Sequence, residues 1–312
     1  MARVNVTSEL GLNISSHSKI DFLDIYINDD VALFIDPCLI DVINSQWCME
    51  ARRTIHSYFD EFFRAYRDYD LEMKKYLFSH AHEVNDTKLG YGDGDNGNGN
   101  TTDGLILVFR ELERLIHTKM DIRHPIDLHV MIEDFAEDGL SDMVTNIIRK
   151  HLNDFTLEQC QKWGIQTDES EEEFAYWDYK TSSWSMYKDR CLYVGTRKQR
   201  ILLVPKSIVR HEYYYSADQY FSGIILQRLK EESAIRNAAG KINMIPKKEL
   251  RRRFRKDNEQ SVREIAIDKT IDRPEFLDEY HAKMQMLYSD KSLSDDFLDK
   301  FIYEQVIEEE VG

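Results

Sequence analysis

The sequence predicts an α/β or α+β protein, a central mixed sheet flanked by helices and followed by a helical C-terminal region. Three observations predict it. Short β-prone runs bounded by turn residues alternate with amphipathic helical stretches over residues 1–235. Strand signals stop near Gly240, and residues 241–312 show only helical periodicity. Hydrophobic residues make up 42% of the 312, and aromatics 12%, enough for a large core and too many for a disordered chain.

Taken in order, residues 22–27 and 31–35 are β-prone runs separated by Asn28-Asp29-Asp30, which reads as a hairpin ending at Asp36-Pro37. Trp47, Ala51, Ile55, Phe59, Phe62 and Tyr66 recur every three or four residues, the apolar face of a helix over residues 45–69. Residues 101–103 offer capping side chains for a helix through Leu105, Phe109, Leu112 and Ile116. Leu128, Val130 and Ile132 alternate in a strand over residues 127–135, and after a turn Ser141 or Asp142 caps a helix carrying Met143, Ile147, Ile148 and Leu152. A short helix follows over residues 156–163. Residues 166–190 are polar, with an acidic run at 168–173, and read as an irregular excursion. Residues 191–194 and 201–204 pair around Gly195-Thr196, and residues 217–234 form an amphipathic helix. Four helices are expected beyond, over residues 248–256, 258–267, 274–288 and 293–308.

The charge balance is acidic: 41 Lys and Arg against 57 Asp and Glu give −16, so nucleic acid is repelled except at a local basic patch. Four scattered cysteines (Cys38, Cys48, Cys160 and Cys191) form no CxxC pair, which predicts reduced, mostly buried thiols. The N-terminus lacks the apolar run of a signal peptide and no stretch reaches a membrane span, so the expected address is cytoplasmic, with no membrane contact.

Residues 90–100, GYGDGDNGNGN, hold five of the 13 glycines and read as a flexible loop. The loop lacks the lysine of a phosphate-binding loop, and Asn98 stands where an EF-hand needs glycine. Just before it, His80 and His82 share a strand face, yet no third ligand follows at a metal-site spacing.

The densest chemistry lies at residues 133–142, where Glu133, Asp134, Glu137, Asp138 and Asp142 crowd a strand-to-helix junction. Closely spaced carboxylates suit Mg²⁺ or Mn²⁺, which take oxygen ligands and keep positions open for a phosphate. The structural alternative makes Asp138 a turn residue and Asp142 a helix cap. Lys206 emerges from the apolar run at 201–204, placed to stabilise the charge of a phosphoryl transition state. Asp134, Asp138, Asp142 and Lys206 are therefore the candidate catalytic set, and the three aspartates the candidate metal ligands. The segment KKELRRRFRK carries seven cations in ten residues, Lys247, Lys248, Arg251, Arg252, Arg253, Arg255 and Lys256, and is the candidate nucleic-acid contact. Neutralisation of the acidic C-terminus is its plainer reading.

The strings 138–142 (DGLSD), 146–150 (NIIRK), 202–206 (LLVPK) and 34–37 (FIDP), with the glycine-rich loop, resemble a group of uncharacterised bacterial defence-island proteins. That resemblance implies a prokaryotic anti-phage setting. A more distant likeness is to the PD-(D/E)XK nuclease superfamily, with Asp134 or Asp138 as leading acid and Lys206 as the lysine. The superfamily pattern places an acid two residues before the lysine, where this chain has Val204. Two functions follow: a Mg²⁺-dependent nuclease (a hydrolase) in antiviral defence, or a non-enzymatic subunit of a defence protein complex that docks a partner and guides nucleic acid.

Overall fold

A computed structural model describes residues 3–81, 86–91, 101–196, 198–214, 216–238, 240–257, 260–288 and 292–304. The expected histidine pair (His82) and most of the glycine-rich loop lie outside the described residues. The class is as expected, mixed helix and strand with a helical C-terminal region. A central mixed sheet is not what holds it together. Among the described residues the strands form four small antiparallel ladders.

After α1 (Val6–Glu9), residues 22–35 do not fold back as a hairpin. Phe22, Leu23, Asp24, Ile25 and Tyr26 are all buried, on both faces of the chain, and other segments meet their backbone groups. Leu23 N donates to Val204 O at 3.0 Å, Ile27 N to Val4 O at 2.9 Å and Val31 N to Lys88 O at 2.9 Å. Only β1 (Phe34–Ile35) remains as strand, leading into α2 (Pro37–Val42). Helix α3 (Gln46–Arg67) is the expected long helix, capped by Ser45, whose Oγ accepts from Cys48 N. Its buried face, including Tyr58, Phe59, Phe62, Phe63 and Tyr66, packs edge-to-face on Phe78, Phe109, Trp177 and Trp184.

Helix α4 (Leu71–Phe78) follows, and the helix expected through residue 116 breaks at Phe109 into α5 (Thr102–Val108), capped by Thr101, and α6 (Arg110–Ile116). The expected strand at 127–135 is instead helix α7 (Pro125–Met131). Proline at its first position and Asp127, whose Oδ2 accepts from Arg123 N and His124 N, start the helix. Every residue of α7 is buried, so it has no polar face to display a helical period, and Leu128, Val130 and Ile132 mimic an alternating strand.

Helix α8 (Glu137–Ile147) begins four residues before Ser141, so neither Ser141 nor Asp142 caps it. Ser141 Oγ accepts from Ile35 N at 2.9 Å and ties α8 to β1. The short helix expected at 156–163 is the second half of α9 (Arg149–Trp163), which ends on Gly164 at φ 67°. The region read as an irregular excursion holds β2 (Asp168–Glu169) and a hairpin of β3 (Phe174–Asp178) with β4 (Ser183–Tyr187). Strand β5 (Arg190–Val194) pairs across Gly195-Thr196 with β6 (Gln199–Ile201), not with the expected 201–204: only Ile201 belongs to the ladder, while Leu202 N donates to Asp86 O and Val204 O accepts from Leu23 N, and β2 adds to the free edge of β5. Strand β7 (Val209–Arg210) pairs with β1, Phe34 opposite Arg210.

Beyond α10 (Ala217–Tyr220), a π-helical turn and α11 (Leu226–Glu232) comes a strand pair that the sequence does not predict. Strands β8 (Ile235–Arg236) and β9 (Ile242–Asn243) form a ribbon of their own. Helices α12 (Lys247–Asp257), α13 (Val262–Asp272), α14 (Glu275–Tyr288) and α15 (Asp295–Asp299) complete the described chain. Ile265, Phe276, Tyr280 and Ile302 belong to the same apolar cluster as Phe34 and Phe62. Polar ties cross as well: Tyr220 Oη to Thr270 Oγ1 at 2.8 Å, and Tyr303 Oη to Asp24 Oδ2 at 2.9 Å. All four cysteines are free thiols, three of them buried. Among the described residues no helix is long and apolar enough to cross a membrane.

Candidate functional site

The β1–β7 ladder delivers a buried polar centre. Asp36, fully buried at the end of β1, caps α2 by accepting from Cys38 N at 2.8 Å. Its other oxygen lies 3.3 Å from Arg210 Nε on β7. The Arg210 guanidinium lies over the Tyr214 ring at 3.9 Å and the Tyr288 ring at 5.0 Å. Burial outweighs these partners and raises the Asp36 carboxyl to about 6. On the neighbouring wall, Tyr213 donates to Ile35 O at 2.8 Å; burial, then the charges of Asp36, Cys38, Glu137 and Asp142, hold its hydroxyl protonated. Desolvation pushes His129 down, although Glu137 lies 3.7 Å away.

The four expected catalytic residues fall in three settings. Asp134 sits exposed after α7 at φ 60°, lining a groove of about 820 Å³ with Arg110, Arg114, Glu133 and Arg263. Asp138, in the first turn of α8, lies so close to Gly90 that a side chain there would run into its Oδ1. Asp142, one turn on, acts electrostatically on Tyr213. Lys206 is directed elsewhere: its Nζ donates to His17 O at 2.6 Å and Asp295 Oδ1 at 2.5 Å. So Asp138 and Asp142 share the α8 wall, while the hydrogen bonds of Lys206 lead to α15. Among the described residues no three His, Cys, Asp or Glu side chains gather closely enough to hold a metal ion.

The basic segment is α12. Leu250 is buried and Phe254 packs against Phe221, ring centroids 5.7 Å apart, while Lys248, Arg252 and Arg253 are exposed. Arg251 pairs with Asp218, and Arg252 and Arg253 both with Glu249. The side chains of Arg255 and Lys256 lie outside the described part. Lys247 and Lys248 have no ion pair among the described residues, nor do Lys230 on α11, Lys283 on α14, or Arg236 and Lys241 on the ribbon. Burial, then the charges of Lys283 and Lys230, depress the Lys247 ammonium, with Glu231 opposing. Residues 228–256 carry eleven Lys or Arg against three Glu in a chain of net charge −16.

The ribbon is set by its turn. Asn237 Oδ1 accepts from Lys241 N at 2.9 Å and Gly240 takes φ 78°, which an L side chain adopts only with strain. Ile235 is 71% exposed, Ile242 51% and Met244 42%, so aliphatic tips stand among these cations. Sequence reasoning missed this ribbon because a two-residue ladder is too short to show alternation. Its signal was Asn237 and Gly240 between two isoleucine-bearing segments.

The chain belongs to the family described as Domain of unknown function (DUF8370), whose model matches residues 11–216. Asp36, Arg210 and Tyr213 of the polar centre, α8 and Lys206 fall inside that match, Tyr288 lies beyond it, and the ribbon and α12 follow it. No curated protein and no solved structure matches the chain.

Proposed function

We propose that the protein is a nucleic-acid-binding subunit of a prokaryotic defence assembly, gripping the phosphate backbone with α12, the β8–β9 ribbon and the lysines beside them. One observation carries this reading. Residues 228–256 carry eleven Lys or Arg against three Glu, and Lys230, Lys247 and Lys248 there, like Lys283 on α14, have no ion pair among the described residues. Assembled like charges are costly for a fold and are relieved by a polyanion, whose bound counterions are released in exchange. The aliphatic tips of the ribbon suit the groove side of such a contact, where apolar residues wedge between base steps. Catalysis by Asp134, Asp138, Asp142 and Lys206 is less favoured, because the lysine is committed to Asp295 and the His17 carbonyl.

The test is fluorescence anisotropy with labelled duplex DNA and single-stranded RNA over a salt series. Binding should weaken linearly in log salt. Replacing Lys230, Lys247 and Lys283 together by Gln should flatten the slope by about one for each phosphate that is no longer neutralised. An unchanged slope sinks the proposal, as does an absence of binding at low salt. Cleavage with Mg²⁺ by the wild type, abolished in Asp138→Asn, would restore the nuclease.

A further inference from the structure

Residues 292–304 are held by the rest of the chain as a peptide ligand is held. In this stretch only Leu298 and Ile302 are fully buried, one helical turn apart. Around them the segment is acidic, with Asp295, Asp296, Asp299 and Glu304 against Lys300. Its polar anchors are specific. Lys206 Nζ donates to Asp295 Oδ1 at 2.5 Å, and His17 N donates to Asp299 Oδ1 at 2.8 Å. Ser292 Oγ donates to Ser207 O at 2.9 Å, Tyr26 donates to Ile302 O, and Tyr303 Oη donates to Asp24 Oδ2 at 2.9 Å. The Tyr303 ring stacks on His17, and Phe301 meets His211 edge-on.

Two stretches, 16–26 and 206–211, supply all of these partners, and Lys206 N donates to Asp21 O at 3.0 Å to hold them side by side. Both lie inside the family match, whereas the bound segment lies beyond it. Among the described residues, no hydrogen bond or ion pair joins residues 292–304 to α10–α14, the helices that precede them in the chain.

We propose that these two stretches form a docking groove for an acidic amphipathic helix of a partner protein, and that residues 292–304 fill it until the partner arrives. The segment displays the chemistry that the groove reads. Two aliphatic side chains four residues apart enter the apolar floor, as in other helix-in-groove contacts. An aspartate three residues before the first meets the Lys206 ammonium, and one directly after it meets the His17 amide. A tyrosine directly after the second reaches Asp24. Most of the anchors are polar groups at partly exposed positions, which water replaces at modest cost, so the segment leaves without unfolding the core. This reading is independent of the basic face at α12 and gives Lys206 a role in docking.

The probe is a fluorescein-labelled peptide of residues 292–304, titrated by anisotropy into the full chain. Wild type should bind it weakly, because the tethered copy competes at high effective concentration. The full-length double variant Leu298→Ala, Ile302→Ala loses both apolar anchors of the tethered copy and should bind the peptide at least about tenfold more tightly. Adding Lys206→Gln to that variant should weaken binding about tenfold, and a peptide carrying Asp295→Asn should no longer sense the change. Equal affinity of wild type and the double variant, no binding to the double variant, or indifference to Lys206→Gln each overturns the proposal. Self-association of the wild type that disappears in the double variant would hand the groove to a second copy of the chain and overturn the partner. Should the double variant fail to fold, hydrogen exchange of the wild type decides. The amides of Leu298 and Ile302 should exchange at least about tenfold faster than those of Phe59 and Phe62, and excess peptide should speed them further. Exchange at the rate of the core, or no acceleration by the peptide, overturns the proposal.

Discussion

The buried pair of Asp36 and Arg210 makes pH a probe of the polar centre. The folded-state pKa of Asp36 is raised from 3.8 to about 6, so the protonated form is the one the fold prefers. Its contribution is fully present below about 3.8 and is lost as pH rises through about 6. Asp36→Asn cannot ionise, so between those limits the wild type should lose up to about 3 kcal/mol relative to the variant. Denaturant melts of both proteins from pH 4 to 7 check this. A wild type that gains on the variant as pH rises would show that Arg210 outweighs burial. Gly90 is a second residue-scale constraint, since it adopts φ 115° and its missing side chain leaves room for Asp138. Gly90→Ala should cost about 1–3 kcal/mol from the backbone alone, read as a lowered denaturation midpoint. Neither effect was legible beforehand. The FIDP string marked Asp36, but its partner lies at residue 210, and Gly90 looked like any other glycine of its loop.

Among the elements, the β3–β4 hairpin shows how far composition misleads. Asp, Glu and Ser dominate residues 166–190, yet Trp177 is 1% exposed. Its Nε1 donates to Ser57 Oγ at 3.1 Å, and its ring meets Tyr58 and Trp184 edge-on. Trp177→Ala should cost about 3–5 kcal/mol, as expected for a large core aromatic, and calorimetry would show it. A change within about 0.5 kcal/mol would mean that the hairpin is peripheral. Helix α8 carries the opposite lesson. Asp142 was a fair candidate for a cap, but with the helix starting at Glu137, Asp142→Ala removes no capping bond. The tie that matters is Ser141 Oγ to Ile35 N, a contact between positions 106 apart that no local pattern announces.

For the whole molecule, the C-terminal helices share the apolar cluster of the N-terminal part. Tyr26 donates to Ile302 O, His281 meets Asp127, and Tyr303 meets Asp24. A chain truncated after Gly240 would leave Asp24 and Asp127 buried with fewer partners and the apolar faces around Tyr220 bare. Thermal unfolding of the full chain should therefore be one cooperative transition, and residues 1–240 alone should not unfold cooperatively. Two separated transitions, the first absent after truncation, would show independent units.

The sequence by itself determined the acidic balance, the mixed class, the long helix α3, the turn at Gly195-Thr196 that follows β5 and the basic stretch at α12. Each is local: a 3.6-residue period, a cluster of turn residues or a run of charge survives in one dimension. Tertiary structure alone decided that residues 22–35 lie enclosed rather than paired as a hairpin, and that 125–131 form a helix. It also turned Lys206 from the aspartates toward Asp295, and set His281 beside Asp127 across 154 positions. The physical reason is common to these cases. Burial on all sides erases the polar face that gives a segment its period, and a buried polar group is satisfied by whichever distant partner packing brings within reach.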